Sequence, residues 1–245
     1  GGAIYSPDGT RCVIDSPEAI GGIQFLHDLM YRYGVMPSPV EEAAMASTGG
    51  WGSGTIHLFA GGKAAMAVGG RWWLCTMRNT ETLRLGAVPC PYGPRQVFRG
   101  YGRATLVNAK SRQRDQALRF LLYMAEQPYN DLVNHQADAL APVKRFSMTP
   151  AFLHDPDYPS EDFNAVWRAV MERGVPDQVS PFINGNRASR ILNKQLDLVR
   201  NDQKPVPDAL RAAAAEVNAE IQETLRRDPS LRRRYDQRLA KRGTP

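Results

Sequence analysis

The hydrophobic pattern of the chain changes near Pro142, and this change limits the folds that the chain can adopt. Before Pro142, helical stretches alternate with short apolar segments bounded by glycine or proline, a pattern typical of an α/β protein. Beyond Pro142 the apolar spacing predicts only helices, over residues 161–173, 186–200, 207–226 and 229–241. We therefore expect an α/β fold with a helical C-terminal part.

In the first part of the chain, helices and strands are predicted from their ends. Ser16 and Pro17 are typical of a helix start, and the apolar spacing that follows continues to Gly34. Two more helices are predicted, over residues 112–126 and from Pro128. Short strands are expected in the segments between the helices, over residues 64–68, 83–88 and 104–107.

The net charge of +6 raises the question of a nucleic-acid partner. Residues 226–242 hold eight basic and two acidic side chains, so this tail accounts for the whole excess. Leu231, Tyr235 and Leu239 recur every four residues, which predicts an amphipathic helix with a solvated basic face. A nucleic-acid-binding module remains an alternative, although a lone basic helix without interleaved aromatic residues is a weak signal for one.

The cysteines and histidines do not have the spacing of a metal site. Cys12, Cys75 and Cys90 are 63 and 15 residues apart, which fits neither a Cys-x-x-Cys motif nor a dense disulfide framework. The four histidines, at positions 27, 57, 135 and 154, include no His-x-x-x-His pair. We therefore predict no metal site and no cofactor.

Two glycine-rich stretches resemble enzyme motifs but lack residues that those motifs need. His57 occupies the first glycine position of a phosphate-binding loop, and Ala64 replaces its magnesium-binding hydroxyl residue. Residues 50–54 have neither the G-x-G-x-x-G nor the G-x-S-x-G spacing. We therefore predict no catalytic residue in these stretches.

The most unusual stretch, residues 43–80, holds three of the four tryptophans and no Asp or Glu. A glycosidase needs two carboxylates about the scissile bond, so this stretch favours binding over hydrolysis. A carbohydrate-active enzyme that uses acids elsewhere in the chain remains an alternative. Aromatic rings and backbone donors at a predicted helix start suit a sugar or polyol, so the candidate ligand residues are Gly70, Arg71, Trp72, Trp73 and Trp51. Each tryptophan is equally compatible with core packing.

Residues 59–72, which include Gly62-Lys63, Met66 and Gly70-Arg-Trp72, are similar to a block in a known family. The block F-x-x-G-K-A-A-M-x-x-x-G-x-W is found in the extracellular solute-binding proteins of bacterial ABC importers. It resembles most closely the carbohydrate-binding group, with the maltodextrin-binding and glycerol-3-phosphate-binding proteins. Further similar elements follow in order: Pro89-x-Pro91-x-Gly93, Asn108-Ala-Lys110-Ser111, Leu140-Ala-Pro142-Val143, Asp208-Ala-Leu210 and Val217-Asn218.

This resemblance implies a periplasmic-binding-protein-like fold of type II, with two α/β lobes and a ligand cleft between them. The chain is then expected to be a C-terminal portion that lacks most of the N-terminal lobe. Residues 1–98 would form the first part of the C-terminal lobe, and residues 99–152 would return to the other lobe. Residues 153–245 would complete the C-terminal lobe with helices and the basic tail.

The resemblance also implies a function without catalysis. The expected protein is periplasmic or extracellular, with a lipid anchor in the precursor as an option, and captures a carbohydrate-like solute for an ABC permease. Ligand would stabilise a closed form by hinge motion. The implied partners are a carbohydrate or sugar phosphate and the permease subunits, with no nucleic acid.

Ligand contacts are carried over from the family by position. Trp72 resembles the tryptophan that stacks on the ligand, and Tyr101 lies at the expected crossing between lobes. Asn186 and Arg187 precede a late helix near another cleft position, where an aromatic residue frequent in the family is missing. Guanidinium groups pair with anions. Arg71 and Arg187 therefore leave the class of ligand open, because they could favour a phosphorylated or acidic sugar.

Overall fold

The computed structural model describes residues 1–45, 53–78, 80, 83–93, 95–102 and 104–242. This part of the chain is mostly helical, and no helix in it is long and apolar enough to cross a membrane. Two 3₁₀ helices cover Arg71–Trp73 and Lys144–Met148. In chain order the other elements are α1 (Pro17–Tyr31), α2 (Pro39–Met45), α3 (Ser53–Ala60), α4 (Leu74–Met77), β1 (Phe98–Arg99), α5 (Arg114–Tyr123), α6 (Gln127–Gln136), α7 (Pro150–Leu153), α8 (Asn164–Glu172), β2 (Gly174–Val175), α9 (Gly185–Arg200), α10 (Val206–Arg227) and α11 (Pro229–Arg242).

The predicted helices are confirmed. Ser16 caps α1 through its hydroxyl oxygen, which accepts a hydrogen bond from the backbone N–H of Ala19 at 3.3 Å. Gly34 follows that helix with a φ of 62°, a conformation that glycine adopts without strain. Helices α5, α6 and α8 to α11 lie where the apolar spacing predicts them, with ends shifted by a few residues.

The predicted strands over residues 64–68, 83–88 and 104–107 are wrong, because the structure has no regular element at these described residues. The strands that it describes are β1 and β2, which pair in parallel with Phe98 opposite Gly174. The prediction of helices alone beyond Pro142 is therefore wrong at Gly174–Val175. An apolar segment becomes a strand only when a neighbouring strand pairs with its backbone. Here the apolar side chains are instead exposed, among them Met66, Val68, Val88 and Leu106.

The chain divides into two compact units. Unit 1 comprises Gly1–Met45 and Gln178–Pro245, and unit 2 comprises Ala46–Asp177. These boundaries differ from the predicted ones at residues 98 and 152, so the assignment of segments to lobes stays a prediction. Unit 1 is therefore built from both ends of the sequence, whereas unit 2 is continuous.

Helix α10 forms the centre of unit 1. One face of it is fully buried, through Ala209, Leu210, Ala213, Val217 and Ile221, and this apolar face packs against α9 and α1.

Two contacts attach other parts of unit 1 to this centre. The Asn218 amide donates to the Cys12 carbonyl at 3.1 Å and accepts from the Cys12 N–H at 2.8 Å. Tyr235 of α11 meets the buried ring of Phe182 edge-on, with the centroids 5.1 Å apart. The basic tail is therefore an amphipathic helix, as predicted, with Leu231 and Tyr235 against the core and the arginines at positions 232–234 exposed.

Unit 2 has a small apolar core and many buried polar groups. Leu74 of α4, Ala137 and Phe163 form the apolar cluster, against which Trp167 of α8 packs. The buried polar and charged residues of the unit are Arg71, Asn130, Asn134, Ser147, Asp155, Glu161 and Asn164. Because buried polar groups need partners, the internal structure of this unit depends on specific hydrogen bonds and ion pairs.

Candidate functional site

The candidate residues Gly70 to Trp73 lie together in unit 2, at the start of the 3₁₀ helix. The indole of Trp72 covers Gly70 so closely that a Cβ on this glycine would lie 1.7 Å from Cζ3 of the ring. Gly69 relates to Trp73 in the same way, because a Cβ on Gly69 would lie 2.6 Å from Cδ2 of that indole. Both rings are half-buried. The two glycines are therefore needed because they leave room for two indoles.

We expect Gly70→Ala to displace the ring of Trp72, because the added methyl group and the indole cannot occupy the same space. Overpacking of this kind costs about 1–3 kcal/mol. The emission spectrum of tryptophan and the urea midpoint of unfolding measure the change. Gly86→Ala is the matched control, since nothing lies within 4 Å of its added Cβ. An unchanged spectrum and midpoint in Gly70→Ala would contradict the described packing.

The Arg71 side chain is directed into unit 2. Its Nη1 donates to the carbonyl of Ala139 at 2.5 Å, and its Nη2 donates to the carbonyl of Asn134 at 2.8 Å. The guanidinium also lies 5.1 Å from the ring of Phe152. Burial, and then repulsion from Arg78, lowers the pKa of Arg71 to about 10, so the group stays charged at neutral pH. Arg71 thus holds the end of α6, and its contact with a ligand stays a prediction.

Arg78, at the end of α4, forms a buried ion cluster. Its Nε lies 3.0 Å from Glu161 Oε1, its Nη2 lies 2.5 Å from Glu161 Oε2, and Asp155 Oδ2 is 3.4 Å from the same nitrogen. The three side chains are only 3%, 5% and 9% exposed. Burial alone would lower the pKa of Arg78, but the hydrogen bond and charge of Glu161 outweigh it and raise the pKa. The guanidinium is further covered by the ring of Tyr158, 3.6 Å away.

A group of three possible metal ligands borders this cluster. Nδ1 of His135 lies 3.9 Å from Asp155 Oδ2 and 3.7 Å from Asp157 Oδ2. All three donor atoms lie within 4.8 Å of one another. Spacings among histidines and cysteines do not indicate this group, because it joins a single histidine to two aspartates 20 and 22 residues away.

Tyr101 lies just after β1 and is 59% exposed. The Arg99 guanidinium covers its ring at 4.2 Å, and Arg99 Nη2 is fixed by Asp177 Oδ2 at 2.7 Å. The hydrogen bond between the two side chains raises the pKa of Arg99 and lowers the pKa of Asp177. Tyr101 thus presents an aromatic ring at the surface of unit 2. The remaining tryptophan candidate, Trp51, lies outside the described residues.

Asn186 and Arg187 belong to unit 1 and lie in the first turn of α9, not in the loop before this helix as predicted. Asn184 caps this helix and accepts a hydrogen bond from the Arg187 N–H at 3.2 Å. The Arg187 guanidinium pairs with Glu220 of α10 at 2.8 Å. Arg187 and Glu220 border a shallow cavity of about 240 Å³, whose other lining residues are Arg190, Ile191, Lys194 and Glu216. The structure thus places these two candidates in a different compact unit from Gly70 to Trp73.

Comparison with known proteins supports a fold assignment. No curated protein and no protein-family model matches the chain. The ABC substrate-binding protein Lmo0181 from Listeria monocytogenes, solved in complex with cycloalternan, matches with a TM-score of 0.69 at 18% identity. MalE3 of T. maritima, solved with maltose bound, matches with a TM-score of 0.68 at 21% identity.

The chain spans about half the length of both proteins. The matches cover 89% and 88% of this chain but only 53% of each of the other chains. At these identities the likeness concerns the fold alone. The chain therefore shares its fold with about half of the length of each of these two proteins.

Proposed function

We propose that this chain is part of a solute-binding protein of an ABC importer and that it binds a carbohydrate. The observation that supports this most is the fold shared, over nearly the whole chain, with two substrate-binding proteins that were solved with sugars bound. We assign the chain to the C-terminal portion of a two-lobed, type II protein of the maltodextrin- and glycerol-3-phosphate-binding group. The whole protein would act in the periplasm or outside the cell and deliver its ligand to a permease.

The aromatic side chains of unit 2 fit this role. Trp72 and Trp73 are half-buried, so each ring has one part packed and another part accessible. A ring fixed by packing loses little conformational entropy when a ligand stacks on it. Tyr101 adds a further exposed ring in the same unit. These rings suit the apolar faces of a sugar ring. The guanidinium of Arg187, in unit 1, is paired with Glu220 and would have to exchange this partner to bind an acidic or phosphorylated substituent.

The proposed mechanism requires no chemical change of the ligand. In the whole protein, ligand would bridge the two lobes and stabilise the closed form by its higher affinity for that form. The two solved structures are of binding proteins, which agrees with a role without catalysis. We therefore propose capture and delivery of the solute as the function.

The first test is a tryptophan-fluorescence titration of the chain with maltose, cycloalternan, sugar acids and glycerol phosphate. We expect a saturable change in emission with at least one of these ligands. Trp72→Ala should weaken binding about tenfold or more, because a stacked anchor residue contributes about 1.4 kcal/mol or more. Trp167→Phe is the matched control, since it removes a tryptophan that packs on the apolar cluster of unit 2. Equal affinity in Trp72→Ala would contradict the assigned contact, and no response to any sugar would contradict carbohydrate binding by this chain.

A further inference from the structure

We propose that His135, Asp155 and Asp157 form a binding site for a divalent transition-metal ion such as Zn²⁺. The site lies in unit 2, where the end of α6 meets the loop that follows α7. The proposal is independent of carbohydrate binding, because it depends only on the geometry of these three side chains.

The donor distances allow a metal ion to bind once the exposed side chains move closer together. Zinc lies about 2.0–2.2 Å from imidazole nitrogen and carboxylate oxygen, so tetrahedral donors are about 3.3 Å apart. The observed separations from His135 Nδ1 are 3.9 Å to Asp155 and 3.7 Å to Asp157. The side chains of His135 and Asp157 are 55% and 68% exposed. All three donor atoms lie within 4.8 Å of one another, so coordination requires these exposed side chains to shift by up to about 1.5 Å.

Asp155 provides the fixed part of the site. Its carboxylate is 9% exposed, and its Oδ1 accepts a hydrogen bond from the Asp157 N–H at 3.1 Å. Its Oδ2 lies 3.4 Å from Arg78, but the nearest carboxylate partner of that guanidinium is Glu161 at 2.5 Å. Asp155 is thus held in place and is not the main counter-ion of Arg78.

The charge around the site favours a cation. Asp155, Asp157 and Glu161 contribute three negative charges, whereas Arg78 and the more distant Arg71 contribute two positive charges. In addition, His135 lies in the last turn of α6, where the partial charge of a helix is negative. A bound divalent ion would therefore meet a net negative environment.

The donor set selects the class of metal. Imidazole suits zinc, nickel and copper, whereas calcium and magnesium prefer sites built of oxygen ligands. One histidine and two carboxylates give three protein ligands, which leaves one position of a tetrahedral zinc ion for water. We therefore assign the site to zinc or a similar ion rather than to calcium.

Calorimetric titration of the metal-free chain with ZnCl₂, and in parallel with CaCl₂, tests the proposal. We expect saturable binding of one zinc ion and clearly weaker binding of calcium. His135→Asn and Asp157→Asn should each weaken zinc binding about tenfold or more, since even loss of a group that only supports a metal ligand has effects of this size. Both side chains are largely exposed, and circular dichroism verifies that the variants keep their fold.

Two neighbouring residues serve as matched controls. His154 and Asp162 are exposed and close in sequence but are not among the three donors, so His154→Asn and Asp162→Asn should keep the affinity of the unchanged chain. The proposal is overturned if zinc does not saturate a site, or if His135→Asn binds it as tightly as the unchanged chain does. Calcium binding as tight as zinc binding would overturn the assignment to a transition metal.

Discussion

Arg78→Met should lower the free energy of unfolding of unit 2 by about 3–5 kcal/mol, the usual cost of breaking a buried ion pair by removing one partner. The substitution leaves Glu161, whose side chain is 5% exposed, without its counter-ion, and it removes the nearby positive charge from Asp155, which is 9% exposed. It also removes the contact with Tyr158. The effect is large because buried carboxylates lose their hydration without a replacement partner.

Urea denaturation followed by tryptophan fluorescence measures this effect. All four tryptophans fall within residues 46–177, so their emission reports on unit 2. A chelator in the buffer excludes any contribution from metal ions at the neighbouring aspartates. Arg84→Met is the matched control, because Arg84 is exposed and its loss should change the midpoint little.

A double variant separates the charge effect from simple loss of packing. If the cost comes from unpaired carboxylates, Arg78→Met combined with Glu161→Gln should be less destabilising than the sum of the two single changes. The described ion pair does not stabilise the unit if the losses in free energy of unfolding caused by the two changes are strictly additive. The same conclusion follows if Arg78→Met has the same urea midpoint as the unchanged chain.

Leu210→Ala should lower the free energy of unfolding of unit 1 by about 2–5 kcal/mol, because it leaves a cavity in the tightly packed centre. Leu210 is fully buried in α10, at 0% exposure, and the core around it is formed by α1, α9 and α10. The same unit has no tryptophan. The measurement is therefore amide hydrogen exchange, with the peptides of α9 and α10 as reporters.

Leu239→Ala is the control for this change, because Leu239 of α11 is 40% exposed and its truncation leaves no closed cavity. We expect faster exchange across α9 and α10 in Leu210→Ala only. If protection in both helices is the same in Leu210→Ala and in the unchanged chain, the assignment of Leu210 to the centre of the core is wrong.

The helices could be predicted from the sequence because their signals are local. Ser16 and Pro17 lie next to the helix that they begin, and the buried face of α10 recurs at helical spacing along one continuous stretch. The strands could not be predicted in this way. Val88 and Leu106 are apolar residues of the predicted strands. A strand also needs a neighbouring strand to pair with, and the local sequence contains no information about which segment that is.

The contacts around the candidate site likewise include local ones, between residues close in sequence, and long-range ones. Gly70 and Trp72 are two residues apart, so the sequence could indicate that they lie together, but it did not predict that the indole packs over the glycine. Arg78 and Glu161 are 83 residues apart and belong to no recognisable motif. Such long-range pairs form only when the chain folds, because tertiary packing and not spacing brings the charges together. The meeting of His135 with Asp157 has the same origin.

The construction of unit 1 from both ends of the chain determines when it can fold during synthesis. Unit 2 is continuous and can fold once residue 177 has left the ribosome. In unit 1, by contrast, the backbone of Cys12 forms its hydrogen bonds only after Asn218, 206 residues later, has been synthesised. At about 5–20 residues per second, translation of that interval takes about 10–40 s. During this time the apolar face of α1 has no α10 to pack against. Residues 1–45 therefore depend on protection from aggregation until α10 has been synthesised.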